Sequence, residues 1–131
     1  MTTASRIFLF LLFNAATLCV SAANFTVGEI TVAQGEQVSG VLMVPKGMDE
    51  GSKIPITVAH GASDGPVLAL IAGIHGYEYP PITALQAVRV QIDPAALSGT
   101  IIMVHIANMP SFLGRTIYYS PVDGKNLNRM Y

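Results

Sequence analysis

Two apolar runs set the limits on what this chain can fold into. Residues 67–72 (Val-Leu-Ala-Leu-Ile-Ala) and 100–107 (Thr-Ile-Ile-Met-Val-His-Ile-Ala) lack the polar alternation of a half-solvated strand. Short runs of this kind read as strands buried on both faces. Between them Ile82, Leu85, Val88 and Ile92 recur at helical spacing, Pro81 suits a first helical turn, and Asp93-Pro94 ends the pattern. Strand, helix and strand with a crossover of this length predict a parallel, right-handed βαβ unit. The expected fold class is therefore α/β, with a mixed sheet and flanking helices.

The preceding segment has a different texture. Phe25-Thr-Val27, Glu29-Ile-Thr-Val-Ala33 and residues 38–44 alternate apolar and polar, and Pro45-Lys-Gly47 ends the last of them. Asp49-Glu-Gly-Ser-Lys53 is a polar turn. Residues 54–59 form a further strand, expected at a sheet edge because Pro55 has no N–H to donate. Residues 24–60 thus read as a short antiparallel β lead-in, and residues 61–131 as the first part of the main domain.

The extreme N-terminus carries Arg6, then Ile7-Phe-Leu-Phe-Leu-Leu-Phe13, then small residues up to Ser21-Ala-Ala23. A basic start, an apolar core and a small-residue exit are the parts of a secretory signal peptide, expected over residues 1–23. The apolar run is short for a membrane span; the competing reading is an uncleaved anchor. Cleavage after Ala22 or Ala23 removes Cys19, the single cysteine, so neither disulfides nor thiolate ligands are expected. An exported protein with no stable membrane span after cleavage follows. Of seven basic residues, six remain without Arg6, against eight acidic ones, a formal charge of −2. No basic run or stripe suits nucleic acid. Roughly 108 mature residues suffice for one modest core.

Chemistry concentrates past the ends of the two apolar strands, where open α/β sheets gather functional groups. After the first comes Gly73-Ile-His-Gly-Tyr-Glu78. An imidazole and a carboxylate three residues apart on a glycine-flanked turn form half of a mononuclear zinc site. The plainer alternative is a surface turn with a solvated Glu78; the position between an apolar strand and a Pro-started helix favours the metal pair His75 and Glu78. After the second strand come Asn108, Arg115, Asn128 and Arg129 in a glycine- and proline-rich stretch. Guanidinium forks and an amide suit an anionic substrate, and weak surface ion pairs are the equal alternative. His60 and His105 read as hydrogen-bonded structural histidines, and Tyr118-Tyr119 as packing or loop anchoring, although a phenol there could meet substrate. Asn24-Phe-Thr26 matches the glycosylation sequon.

Several ordered blocks share one resemblance: Gly61 through Pro66, Gly73-Ile-His-Gly-Tyr-Glu78, Asn108-Met-Pro110, Arg115, and Asp123-Gly-Lys-Asn-Leu-Asn-Arg129. Across residues 40–131 the chain resembles the succinylglutamate desuccinylase/aspartoacylase family, which is related to the zinc carboxypeptidases. The resemblance implies a zinc carboxypeptidase-like sheet, of which only the N-terminal part is present. It implies zinc as cofactor, with His75 and Glu78 as its first two ligands. Arg115, Asn128 and Arg129 would hold the carboxylate of a small-molecule substrate or polarise its carbonyl. The implied activity is deacylation or desuccinylation of an N-acyl amino acid or similar carboxylate-bearing substrate. In that family a third zinc ligand, a His, and a general-base Glu come from farther downstream, so the chain is expected to be an N-terminal fragment of a longer enzyme, inactive by itself. Asn126 stands where many relatives carry Asp. Two rivals remain: a metallocarboxypeptidase acting on peptides, and a non-catalytic exported binding protein of the same fold. Oligomeric state is open.

Overall fold

The computed structural model describes residues 23–131; the expected signal segment lies, Ala23 apart, outside the described residues. Two short strands, β1 (Phe25–Val27) and β2 (Ile30–Val32), pair as an antiparallel hairpin. Four longer ones build the main sheet: β3 (Glu36–Val44), β4 (Ser52–His60), β5 (Ser63–Ile71) and β6 (Ser98–Val104). Their order is β3-β4-β6-β5, with β5 and β6 parallel and the other pairs antiparallel. Helix α1 (Tyr79–Arg89) makes the crossover between the parallel strands, and a short α2 (Met109–Gly114) follows β6. The mixed α/β sheet expected from the apolar runs is the one found.

Each face of the sheet has its own cover. Ile102 and Val104 of β6 pack with Val32, Ile56 and Val58 beneath the β1–β2 hairpin. Ile101 and Met103 point the other way, onto Ala72 and onto Ile82 and Leu85 of α1. A strand enclosed on both faces has no polar side to show, which is why residues 101–104 are uniformly apolar. Ile82 and Leu85, three apart, form the buried stripe of α1. Ile92 reaches the same core, although the helix has already ended at Arg89.

Three local expectations are corrected. β4 is an inner strand, between β3 and β6. Pro55 is tolerated because β4–β6 pairing starts at Ile56↔Val104, so its missing N–H falls beyond the ladder. Its carbonyl still accepts from His105 N at 2.9 Å. Conversely β5, whose composition reads as buried, lies at a sheet edge among the described residues, and Val67, Leu68 and Ile71 are 55%, 52% and 50% exposed. Apolar composition reports a demand for burial; it does not name the neighbour that meets it. The glycine- and proline-rich stretch after Asn108, whose composition suggests a loop, begins with α2, started by an Asn108 cap and Pro110. Among the described residues no helix is long and apolar enough to cross a membrane.

His105 continues the inward line of Met103 and is 4% exposed. Its Nε2 lies 2.8 Å from Thr57 Oγ1, which in turn lies 2.7 Å from Ser39 Oγ, and its Nδ1 has no partner. It is a structural histidine, as its place in a strand implied. Desolvation, with a smaller contribution from the charge of Arg89, holds its pKa below the ordinary 6.5. Below that pH the unfolded chain binds a proton that the folded chain refuses. Stability is therefore fully present above the ordinary value and is lost as pH falls from there through the lower folded-state value. Urea unfolding at a series of mildly acidic pH values should show this decline, and His105→Gln should flatten it. Equal slopes for the two proteins would remove His105 as its source.

Candidate metal centre

The loop after β5 is held by the strand beside it. Ala72 N donates to Val104 O, Ala107 N to Ala72 O, and Asn108 N to Gly73 O, each at 2.9 Å. Gly73 turns the chain at φ +66°, where a Cβ would also come within 2.9 Å of Ile106 Cα. Gly76 is buried and donates its N–H to Thr116 O at 3.0 Å. A Cβ there would overlap the carbonyl oxygens of Ser111 and Thr116. Glycine at this point lets the loop lie directly against α2 and the segment after it.

The carboxylate of Glu78 closes the loop on itself. Its Oε2 accepts from Ile74 N at 2.9 Å and from His75 N at 3.2 Å. Its Oε1 is then held 2.8 Å from His75 Nδ1. On the other edge of the ring, His75 Nε2 lies 2.9 Å from Asn126 Oδ1. That oxygen also accepts from Asn128 N at 3.0 Å, which identifies it as the carbonyl end of the amide. Nε2 therefore carries the hydrogen. In a neutral imidazole Nδ1 is then a lone pair, facing a carboxylate oxygen at hydrogen-bond distance. Two acceptors in contact require a cation between them, a proton or a metal ion. The proton's share is visible: His75 is raised above 6.5, first by the bond to Asn126, against desolvation, with Glu78 adding a hydrogen bond and its charge, and Arg129 opposing. The pair also fits a divalent ion, since nitrogen and carboxylate oxygen are suitable donors and both are oriented by second hydrogen bonds. Among the described residues no group of three or more metal-capable side chains occurs, so they offer two ligands there.

The other expected site residues lie around this pair to different degrees. Arg129 is exposed, its Nη1 donates to Asn128 O at 3.0 Å, and its charge is felt at His75. Asn128 is exposed beside it and contributes its backbone N–H to Asn126. Arg115 caps α2 in the left-handed region, φ 51°. A non-glycine residue there costs about 1–3 kcal/mol, and such strain gathers at functional positions. It lines an open recess with Tyr77, Ile117, Tyr118 and Tyr119. Tyr118 meets the His75 ring edge-on, with centroids 5.6 Å apart, so this tyrosine contacts His75 rather than merely anchoring a loop. Asn108 is not part of the anion cluster: it is buried, and its Oδ1 caps α2 through Ser111 N at 3.1 Å. His60 bridges Thr100 Oγ1 at 2.9 Å and the Ala23 carbonyl at 3.0 Å, a structural role. A separate concavity, walled by Val44, Ile54, Pro110, Val122 and Leu127, contains neither His75 nor Glu78. Asn126 stood out in the sequence only as a departure from the Asp of many relatives; its contact with His75 was not foreseen.

Because the loop seats on carbonyl oxygens through Gly76, Gly76→Ala should destabilise the fold by about 1–3 kcal/mol, the usual cost of overpacking. Gly47→Ala, where an added Cβ meets nothing within 4 Å, is the control. Urea midpoints of the two variants decide it; equal midpoints would show that the loop yields freely.

The comparisons with known proteins point to one family. The model of the succinylglutamate desuccinylase/aspartoacylase catalytic domain matches residues 64–131. The N-alpha-acetyl-L-2,4-diaminobutyric acid deacetylase of Halomonas elongata is 38% identical over 97 residues, covering 70% of this chain and 28% of that protein. The crystal structure of a succinylglutamate desuccinylase/aspartoacylase from Rhodobacter sphaeroides superposes with a TM-score of 0.63 at 31% identity, covering 72% of this chain and 30% of that one. The product-bound ectoine utilization protein EutE from Ruegeria pomeroyi gives 0.66 at 26% identity, covering 85% and 33%. The chain thus spans about a third or less of the length of these relatives. The matched span, the identity to the deacetylase and the shared fold together place the chain in the succinylglutamate desuccinylase/aspartoacylase family.

Proposed function

We propose that this chain supplies part of the active site of a zinc-dependent deacylase that hydrolyses the amide bond of an N-acyl amino acid or a similar carboxylate-bearing substrate. The observation that carries this reading is the 2.8 Å approach of His75 Nδ1 and Glu78 Oε1, two acceptors that need a cation. Family membership and a relative named as a deacetylase support the reaction class. His75 and Glu78 would hold the ion, and zinc there would serve as a Lewis acid that polarises a carbonyl and acidifies water. The two backbone N–H groups on Glu78 Oε2 keep the other oxygen aimed at the pair. Arg129 and Arg115, both exposed near the ring of His75 or its Tyr118 neighbour, would take the substrate carboxylate and the charge that develops in the transition state. Asn128 would add an amide donor. In this reading the third ligand and the general base come from outside these 131 residues. The leader-like segment before Asn24 makes it an exported enzyme.

Four variants and the wild type test the reading in the extended enzyme. His75→Ala should abolish bound zinc. Arg115→Ala and Arg129→Lys should keep zinc yet lose about 2–4 kcal/mol in kcat/KM, the range for a buried charge partner or an oxyanion donor; lysine retains charge without the planar fork. Asn128→Ala should act in the same direction. Full activity in both arginine variants would make them ordinary surface residues. The pH dependence has a definite sign: zinc must displace the proton that His75 holds above the ordinary 6.5, so affinity should fall with decreasing pH, beginning at a higher pH than for an unperturbed histidine. Export has its own measurement. Mass spectrometry of secreted material should find a terminus near Ala23 or Asn24, and an intact Met1 there would refute cleavage.

A further inference from the structure

We infer that the recess beside His75 selects substrates with an aromatic side chain: it takes an N-acyl amino acid whose carboxylate rests on Arg115 and whose flat apolar side chain rests among Tyr77, Tyr118 and Tyr119. The recess has a volume of about 560 Å³ and is walled by these four residues with Thr116 and Ile117. That size suits a small organic molecule. The three tyrosines and Ile117 are each about half exposed or more. Apolar and aromatic surface gathered in one hollow around a single charged group is the makeup of a small-molecule site, whereas ordinary surface scatters such residues singly.

The aromatic walls are held by the fold. Tyr77 sits in the loop between His75 and Glu78 and is braced from the core. Its ring meets Tyr79 edge-on, with centroids 6.1 Å apart, and Tyr79 meets Phe112 of α2 in the same manner at 5.9 Å. Phe112 packs against the cluster of Ala72, Ile82, Leu85 and Met103. Tyr118 and Tyr119 come from the segment after α2, which the loop grips through Gly76 N donating to Thr116 O at 3.0 Å. Tyr118 also crosses the His75 ring at 85°, so the recess opens directly beside that residue.

Charge decides which aromatic-seeking ligand fits. Tyrosine faces also attract cations. Arg115, however, is the one charged group among the described residues that line the recess, and a guanidinium repels an ammonium and pairs with a carboxylate. An aromatic side chain next to a carboxylate satisfies both the rings and Arg115; a small side chain leaves the rings in water, and a cationic one meets the wrong charge. Tyr77 is then a specificity-determining residue, touching the side chain of the substrate and not the bond that is cut. The inference rests on the deacylase reading only for placing that bond at His75 and Glu78.

The experiment titrates the nitrogen-15-labelled 131-residue chain, without metal, with N-acetyl-L-phenylalanine, N-acetylglycine and N-alpha-acetyl-L-lysine, and follows the amide signals of residues 115–119. The phenylalanine derivative should bind about 10-fold tighter than N-acetylglycine, the scale of a well-placed aromatic contact. The lysine derivative should bind no better than N-acetylglycine. Tyr77→Ala and Tyr119→Ala should each erase most of the preference while N-acetylglycine binds as before, which also shows that the recess survives. Arg115→Gln should weaken all three ligands. Equal affinity for the phenylalanine and glycine derivatives, tightest binding of the lysine derivative, absence of shifts at residues 115–119, or a preference that outlasts both tyrosine variants would overturn the proposal. Failure of the deacylase reading shows instead in bound zinc, which these titrations do not use, so the two fail separately.

Discussion

Two acceptors held in contact, His75 Nδ1 and Glu78 Oε1, are the constraint around which this part of the molecule is arranged. With the ring hydrogen on Nε2 facing Asn126 Oδ1, these two atoms meet only with a cation between them. The fold keeps them together by spending other hydrogen bonds: two backbone N–H groups on one carboxylate oxygen and an amide oxygen on the far ring nitrogen. His75 is accordingly raised above its ordinary 6.5, first by the bond to Asn126 and against desolvation, with Glu78 adding to it.

The pair depends on the sheet through a short mechanical path. β5 and β6 run parallel, so their C-terminal ends emerge side by side. Hydrogen bonds between residues 72–73 and 104–108 extend that register past the last strand residue. The loop is then pressed onto α2 through Gly76, and α2 is started by Asn108. Asn108, which looks like chemistry in the sequence, is thereby structural and caps a helix, while His105, buried beside Thr57, is structural as its place in a strand suggested.

Much of this was legible in the residues. The βαβ unit followed from two apolar runs around a helical period, and the close approach of His75 and Glu78 followed from their place between strand and Pro-started helix. The strand neighbours did not follow. Pro55 suggested an edge, yet β4 is internal because the proline falls beyond the end of the β6 ladder. The apolar run of β5 suggested enclosure, yet this strand stands at a sheet edge among the described residues. A proline or an apolar residue states a local requirement, and many strand orders can meet it.

By itself the sequence determined the periodicities, the caps and turns, the loop bearing His75 and Glu78, and the likeness to one family. These depend on residues close together in the chain. Tertiary structure alone decided that Asn126, far along the chain from His75, would stand at its ring, that Tyr118 would meet it edge-on, and that Arg129 would lie within reach of its charge. Those contacts exist because the chain returns across the ends of β5 and β6, and no local pattern encodes which distant side chain a returning segment presents.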